Sequence, residues 1–291
     1  MSTTVVRAAS WNLYVGGIDG GDETRRKQQI SVLADEITQT YGEPDIVTLT
    51  EMTHWDAGGW WRLQELAEAL RMAWLTPVTS RVSSDVGTSP NHLAILYRPE
   101  RVNVLRYQAP VGNGAFHHGL ARAHLAIDGV EFAVLATHLA WTDGDTRLRE
   151  ARWMTDNAGP FPGQPRNALL MGDLNVLAEQ DPEPDWNLIP RNTWSRYRQI
   201  HADGSWGPAD RRALRVLLNS GWIDPQTVVR QARKPTVGHY PTDSAQPSRI
   251  DHALVTGEVR PKVYATHASE LADSASDHRP IVLTAEIGAA A

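Results

Sequence analysis

The chain contains no cysteine, which excludes a disulfide framework, a thiolate metal site and a thiol nucleophile. Lysine is nearly absent as well, with only Lys27, Lys234 and Lys262, and the formal net charge is −6. An acidic chain poor in lysine argues against a protein that coats polyanions over a broad basic face, although local patches remain open to it. The arginine bias suits bidentate phosphate recognition but follows equally from a GC-rich coding sequence. No stretch approaches the ~18 apolar residues of a membrane span. The start "MSTTVVRAASWNL" lacks the basic and apolar regions of a signal peptide, so a soluble, cytoplasmic protein is expected. Internal repeats, low-complexity tracts and long linkers are lacking too. "GGIDGGD" fits neither the dinucleotide fingerprint nor the phosphate-binding P-loop.

What remains is a chain of 291 residues, 41% of them hydrophobic, enough to bury one large core, and residues 1–291 are expected to form a single domain. Strand and helix patterns alternate along it. "TVVRAASWNLY" reads as a strand ending at Asn12, "RRKQQISVLADEITQTYG" as a helix stopping at Gly42, and "DIVTLTEM" as a short apolar strand ending in Glu51. "WWRLQELAEALRM" and "DTRLREARWMTDNA" are amphipathic helices. Between them lie the strands "HLAILYR", "VNVLRYQAP", "ARAHLAIDG" and "VEFAVLATHL", with the "DG" pair at 128–129 marking a tight hairpin. "NALLMGDLN" is a buried strand ending in polar residues, and Val176 to Pro208, rich in Pro and Trp, reads as an irregular surface excursion. A helix closed by Gly221 and the strands "RIDHALVTG" and "RPIVLTAEI" complete the chain. Hairpin strands mixed with covering helices imply a layered α/β sheet fold and not a purely parallel one.

The strand ends carry the information. Apolar strands terminate in Asn12, Glu51, His138, and the pair Asp173 and Asn175; another begins at Asp251; and "SASDHRPIVL" sets Asp277 and His278 directly before the last strand. Each residue alone is an ordinary turn, cap or solvated strand end. Together, polar groups repeatedly flank strands whose burial makes unpartnered charge costly, and strand ends in layered α/β domains converge on a crevice. Carboxylates (Glu51, Asp173, Asp277) and amides (Asn12, Asn175) supply hard oxygen ligands suited to Mg²⁺, or Mn²⁺ as a substitute. The histidines supply proton-transfer or anion-stabilising groups, and Asp251 is placed to orient one of them. Such a set fits metal-assisted attack of water on a phosphate ester.

The ordered motifs "WNLY", "PDIVTLTE", "ATHL", "MGDLN", "RIDHALVTG" and "SDHRPIVL" resemble the endonuclease/exonuclease/phosphatase superfamily of deoxyribonuclease I-like fold, over nearly the whole chain. The resemblance implies a four-layered α/β sandwich, two mixed sheets face to face with helices outside. It also implies Glu51 as principal metal ligand with Asn12 and Asp277 beside it, and Asp173 activating the attacking water with Asn175 holding it or a phosphate oxygen. His278 would stabilise charge on the phosphate, with its tautomer fixed by Asp251, and His138 would help protonate the leaving oxygen. A histidine in "ATHL" speaks against the exonuclease III-type branch, where a tyrosine is usual. Thr50 stands where the family often has Gln, and Arg149 and Arg152 take helix positions often held by Arg and Gln.

Shared chemistry leaves the substrate open. Acidity and the scarcity of lysine favour a small phosphorylated metabolite, a nucleotide or a lipid headgroup. The alternative is a nuclease acting on DNA or RNA, in which Trp55, Trp60, Trp61, Trp141, Trp186, Trp194 and Trp206 stack bases and Arg191, Arg196, Arg198, Arg211 and Arg212 track a backbone. A non-catalytic binding module would lack catalytic groups, and none is lacking. Trp141, just after His138, and Arg249 are the expected substrate contacts, Arg249 either touching phosphate or supporting the residues that do. The excursion is expected to shape the pocket. The oligomeric state is not legible.

Overall fold

The computed structural model describes residues 3–80, 90–241 and 246–288. The strands are β1 (Thr3–Asn12), β2 (Ile46–Thr50), β3 (Ala73–Trp74), β4 (Ala94–Tyr97), β5 (Asn103–Gln108), β6 (Gly119–Ile127), β7 (Val130–His138), β8 (Ala168–Asp173), β9 (Arg198–Ile200), β10 (Trp206–Ala209), β11 (Asp251–Val255), β12 (Val259–Thr266) and β13 (Ile281–Gly288). They form a six-stranded sheet in the order β12-β13-β1-β2-β4-β3, a five-stranded sheet β11-β8-β7-β6-β5 and a small ribbon of β9 and β10. Both large sheets are mixed: β1 runs parallel to β2 and β7 parallel to β8, while every other pairing within them is antiparallel.

The covering helices are α1 (Thr24–Ser31), α2 (Thr38–Tyr41), α3 (Trp61–Leu70), α4 (Gly144–Arg152), α5 (Trp194–Tyr197), α6 (Arg212–Asn219) and α7 (Glu270–Ala275). A π-helical stretch, Val32–Ile37, joins α1 to α2, and this composite helix stops at Gly42 with φ 87°. Alternation in the strands sorts side chains into layers. Val6, Ala8, Leu283 and Ala285 of one sheet meet Leu125, Phe132, Val134 and Met171 of the other in the central core. On the outer face of the six-stranded sheet, Trp11, Val47 and Leu49 pack with Val32, Leu33, Leu63, Leu66 and Ala272 from the helical layer. On the other outer face, Leu135 and Leu170 pack with Ala151, Leu214 and Leu217 of α4 and α6. The result is the expected four-layered sandwich, helix–sheet–sheet–helix.

Three details depart from the pattern read in the sequence. Strand β12 and helix α7 carry no distinct signal: β12 alternates exposed and buried residues through Pro261, where its pairing with β13 shifts register, and α7 is only six residues long. The helix read through residue 158 ends at Arg152 and continues as a 3₁₀ turn, Thr155–Ala158. The excursion is less irregular than expected. It contains short 3₁₀ turns, α5 and the β9–β10 ribbon, organised where the Arg198 guanidinium lies 4.7 Å from the rings of both Trp186 and Trp194 and 6.0 Å from Trp206. These aromatic–cation contacts give a segment with little aliphatic content its own small core. The expected "DG" hairpin is present, with Asp128 and Gly129 both at positive φ, the backbone that a two-residue turn between twisted strands requires.

Candidate active site

Strand direction gathers the site. The C-terminal ends of β1, β2, β7 and β8 and the N-terminal ends of β11 and β13 lie at one edge, because Asn12 pairs with Thr50, His138 with Asp173, Asp251 with Asp173 and Ser10 with Ile281. Gly172 makes the β7–β8 junction possible. Its φ is 144°, and a Cβ there would sit 1.9 Å from the Thr137 carbonyl oxygen. The glycine of "MGDLN" therefore lets two strands approach closely enough to set Asp173 beside His138.

Asp173 is the hub. One carboxylate oxygen accepts the Asn175 backbone N–H at 2.8 Å; the other accepts the Asn12 amide at 3.0 Å and lies 3.4 Å from His138 Nε2 and 3.8 Å from His278 Nε2. His278 Nδ1 lies 2.8 Å from Asp251 Oδ2, both residues buried. The segment before β13 is held rigidly. Trp11 Nε1 donates to the His278 carbonyl at 2.6 Å, while Ser276 Oγ donates to the Asn12 carbonyl at 2.8 Å and accepts the His278 N–H at 3.1 Å. Arg279 has a clear role: its guanidinium grips both carboxylate oxygens of Asp273 on α7, at 2.6 and 2.7 Å.

Glu51 and Asn175 occupy left-handed backbone, φ 53° and 49°, a conformation uncommon outside glycine and concentrated at functional sites. The Glu51 carboxylate accepts the Val15 N–H at 3.2 Å and its carbonyl accepts the Gly16 N–H at 2.7 Å. Gly16 must be glycine, since a Cβ at its φ of 64° would meet the Thr53 carbonyl oxygen at 2.3 Å. The Gly-rich loop thus cradles Glu51.

The electrostatics separate the histidines. Burial opposes charge on His278, but the Asp251 and Asp173 carboxylates outweigh it and hold its pKa well above the usual imidazole value. His138 goes the other way. Burial, reinforced by the rings of His118, His278 and His117, holds it well below, and its Nδ1 has no hydrogen-bond partner. It stacks on buried His118 at 4.1 Å between centroids, and His118 is itself pushed down to about 3 by burial and then by His117. The surroundings therefore favour the protonated form of His278 and oppose it at His138. Burial and the neighbouring Asp251 push Asp173 above the usual carboxylate range, against the pull of His278.

The donor set suits a divalent cation. Glu51 and Asp251 both raise the pKa of Asp173, and Asp277 raises that of His278, so several carboxylates face one another against a single imidazolium. Carboxylates gathered in this way, Asp173 and Asp251 buried and Glu51 and Asp277 half-buried, offer hard oxygen ligands to a divalent cation. Among the described residues, Asp173, Asp251 and His278 form a group of three whose carboxylate and imidazole atoms all lie within 4.8 Å of one another; Glu51 and Asp277 are not in that group. The Asp251–His278 contact already occupies one atom of each.

A cleft of about 270 Å³ opens beside these groups. Asn175, Asp277 and His278 line one part of it, and Trp186, Ile189 and Arg196 of the excursion line another. Of the two expected substrate contacts, neither lines this cleft. Trp141 packs beneath the Arg196 guanidinium, 4.4 Å away. Arg249 is 1% exposed and turned onto Asp224, with contacts of 2.5 and 3.1 Å. Its direct phosphate contact is replaced by a buried ion pair that braces the start of β11. Trp55 is buried, with its indole N–H on the Gly16 carbonyl, and so stacks on no base. Sequence reasoning missed His118, Arg147 and Glu150. Arg147 and Glu150 are buried on α4 at a spacing of three, one helical face. Glu150 accepts the Ala140 N–H at 2.8 Å and the His117 N–H, tying together the loops around the histidine stack.

A model of the Endonuclease/Exonuclease/phosphatase family matches residues 9–278. The chain belongs to that family. Its members are hydrolases acting on phosphate esters and generally use divalent metals. No curated protein matches the sequence. Among solved structures, an endonuclease/exonuclease/phosphatase family protein from Bacteroides thetaiotaomicron is 19% identical with TM-score 0.67, covering 99% of this chain and 100% of that one. A mannosyl-6-phosphatase from the same organism is 19% identical with TM-score 0.62, covering 96% and 99%. An AP endonuclease from Archaeoglobus fulgidus is 18% identical with TM-score 0.63, covering 96% and 98%. At such identities the likeness concerns the fold, here a phosphoesterase and nuclease fold. No helix among the described residues is long and apolar enough to cross a membrane.

Proposed function

We propose that this protein hydrolyses a small phosphorylated molecule (a metabolite, nucleotide or lipid headgroup) with Mg²⁺, or Mn²⁺ in its place, as cofactor. The observation that carries this reading is the cleft. At about 270 Å³ it is near the lower end of small-ligand sites, and the excursion contributes Trp186, Ile189 and Arg196 to its lining. A broad basic groove, which a duplex would require, is not what those residues make.

Glu51, with Asn12 and Asp277, would hold the metal, which when bound supplies Lewis-acid stabilisation of phosphate charge. The remaining groups act through their own atoms. Asp173, with a carboxylate whose affinity for a proton is raised by burial, accepts a proton from the attacking water while Asn175 fixes that water or a phosphate oxygen. The water oxygen forms its bond to phosphorus as the ester P–O bond breaks. His278, cationic because Asp251 holds its Nδ1, directs Nε2 at the phosphate oxygens and opposes the charge that grows there. His138, neutral and rigidly stacked, donates a hydrogen bond to the departing oxygen, which takes its proton from solvent water.

Trp186 in the cleft supports a second reading, cleavage of single-stranded or terminal nucleotides with a base stacked on the indole. The deciding experiment is a Mg²⁺-dependent panel of sugar phosphates, nucleotides, sphingomyelin, RNA and plasmid DNA. Phosphate release from small esters is expected. Cleavage confined to DNA or RNA, with steep salt dependence, would replace the first reading by the second.

A further inference from the structure

Among the described residues, Arg196 meets no acidic partner. Its half-buried guanidinium lies 4.4 Å above the Trp141 ring, and among the described residues it makes no ion pair with any carboxylate. Its position is imposed from below. Arg147, 1% exposed, donates to the Arg196 carbonyl at 2.5 Å and to the Ala140 carbonyl at 3.0 Å. Arg147 also lines the cleft, and its Nε is left without an acceptor, as is the buried indole N–H of Trp141. Three donor groups with no acceptor therefore cluster at one side of the cleft, two of them buried, where an unmade hydrogen bond is costly. Of the acidic residues that act on Arg147, Asp210 is already neutralised by Arg212 at 2.6 and 2.9 Å, and Asp143 and Glu150 accept backbone N–H groups.

We infer that Arg196, stacked on Trp141 and positioned by Arg147, forms an anion subsite that takes a second phosphate or carboxylate group of the substrate, distinct from the phosphate being hydrolysed. The inference rests on the phosphoester reading and narrows it to substrates carrying two anionic groups. Arg196 and His278 line the same small cleft, so one compact ligand can reach both. A guanidinium stacked on an indole has given up much of its rotamer freedom before the ligand arrives, and its planar fork suits phosphate and carboxylate oxygens.

The test uses the full chain carrying Asp173→Asn, so that no ligand turns over. It is titrated calorimetrically at fixed free Mg²⁺ with inorganic phosphate, pyrophosphate and tripolyphosphate. At least one of the condensed phosphates is expected to bind about tenfold or more tightly than inorganic phosphate, and adding Arg196→Gln should abolish that preference. Should Arg196→Gln melt early, Arg196→Met, which keeps an apolar stem on Trp141, takes its place with the same expectation. Equal binding of all three anions by the Asp173→Asn chain, or a preference that survives loss of the guanidinium, overturns the subsite. The readout does not depend on turnover. If the unmodified chain hydrolyses no phosphoester, the hydrolase reading falls while the anion preference still decides the subsite.

Discussion

Replacing Arg249 by Met separates a structural arginine from a substrate-binding one. The wild-type guanidinium is 1% exposed, contacts Asp224 at 2.5 and 3.1 Å, and lies 5.7 Å from the Tyr264 ring. Asp224 is 2% exposed and also accepts the Gln226 N–H at 3.0 Å. Methionine fills much of the arginine stem's volume but strands a buried carboxylate. Removing one partner of such a pair costs about 3–5 kcal/mol. At about 2–4 °C per kcal/mol for large domains, the melting temperature should fall by roughly 6–20 °C, nearer the lower end for a chain of this length. Adding Asp224→Asn removes the stranded charge, keeps the acceptor for Gln226, and should restore about 1–3 kcal/mol. Calorimetric melting reads stability, and phosphate release well below the transition reads catalysis. KM should stay within about threefold of wild type, since a ΔΔG under ~0.7 kcal/mol is what a group outside the cleft can contribute. A variant that melts normally while KM rises more than tenfold would show that Arg249 touches substrate after all, and the buried-pair reasoning would be wrong.

Other perturbations address the site itself. Glu51→Gln should weaken Mg²⁺ affinity and lower turnover by more than the about 10–100-fold typical of outer-sphere changes, and EDTA should silence the wild type; activity persisting in metal-free buffer would refute the metal role. Asp251→Asn should lower kcat by about 10–150-fold, the rate equivalent of losing a charge-assisted hydrogen bond worth ~1.5–3 kcal/mol. It should also move a pH profile in a definite direction. The folded pKa of His278 is raised, so the stability contributed by its imidazolium is complete below the unfolded value of 6.5 and is lost as pH rises through the folded value. Without the Asp251 carboxylate that folded value drops, so both activity and stability should begin to decline at lower pH than in the wild type; an unmoved alkaline limb would remove His278 as the group responsible. Gly172→Ala forces a Cβ against the Thr137 carbonyl at 1.9 Å and should cost at least the ~1–3 kcal/mol of core overpacking, seen as lower soluble yield and melting temperature; near-native stability would mean the β7–β8 junction yields more readily than its geometry implies.

The sequence reveals the strand ends well for a physical reason. Burial on both faces makes β2, β7, β8 and β11 conspicuous as nearly continuous apolar runs, and a carboxylate, amide or imidazole at the edge of such a run stands out against the burial rule. Asn12, Glu51, His138, Asp173, Asn175, Asp251, Asp277 and His278 are visible that way, and so is the layered architecture that brings strand ends together. What surrounds them is not visible, because it is created by packing between elements. The stacking of His118 on His138 depends on the β6–β7 pairing, in which Gly119 faces His138. The burial of Arg147 and Glu150 inverts the expectation for a helix of mean polar character: their spacing of three is a helical face, but only the β-sheet beneath and the excursion above turn it inward. Of the two readings of Arg249, the supporting one agrees with its burial and the phosphate contact does not, and nothing local signals that Asp224, 25 positions away, claims its guanidinium. The candidate catalytic groups are thus written at strand ends, where burial constrains residue type. Groups that choose among substrates lie on loops and helix faces, where the sequence permits many residues and only their mutual contacts give them meaning. Arg196 is the clearest instance. As a sequence element it is one arginine among several in the excursion, and its significance comes from Trp141 below it, Arg147 behind it and the absence of a carboxylate among the described residues to pair with it.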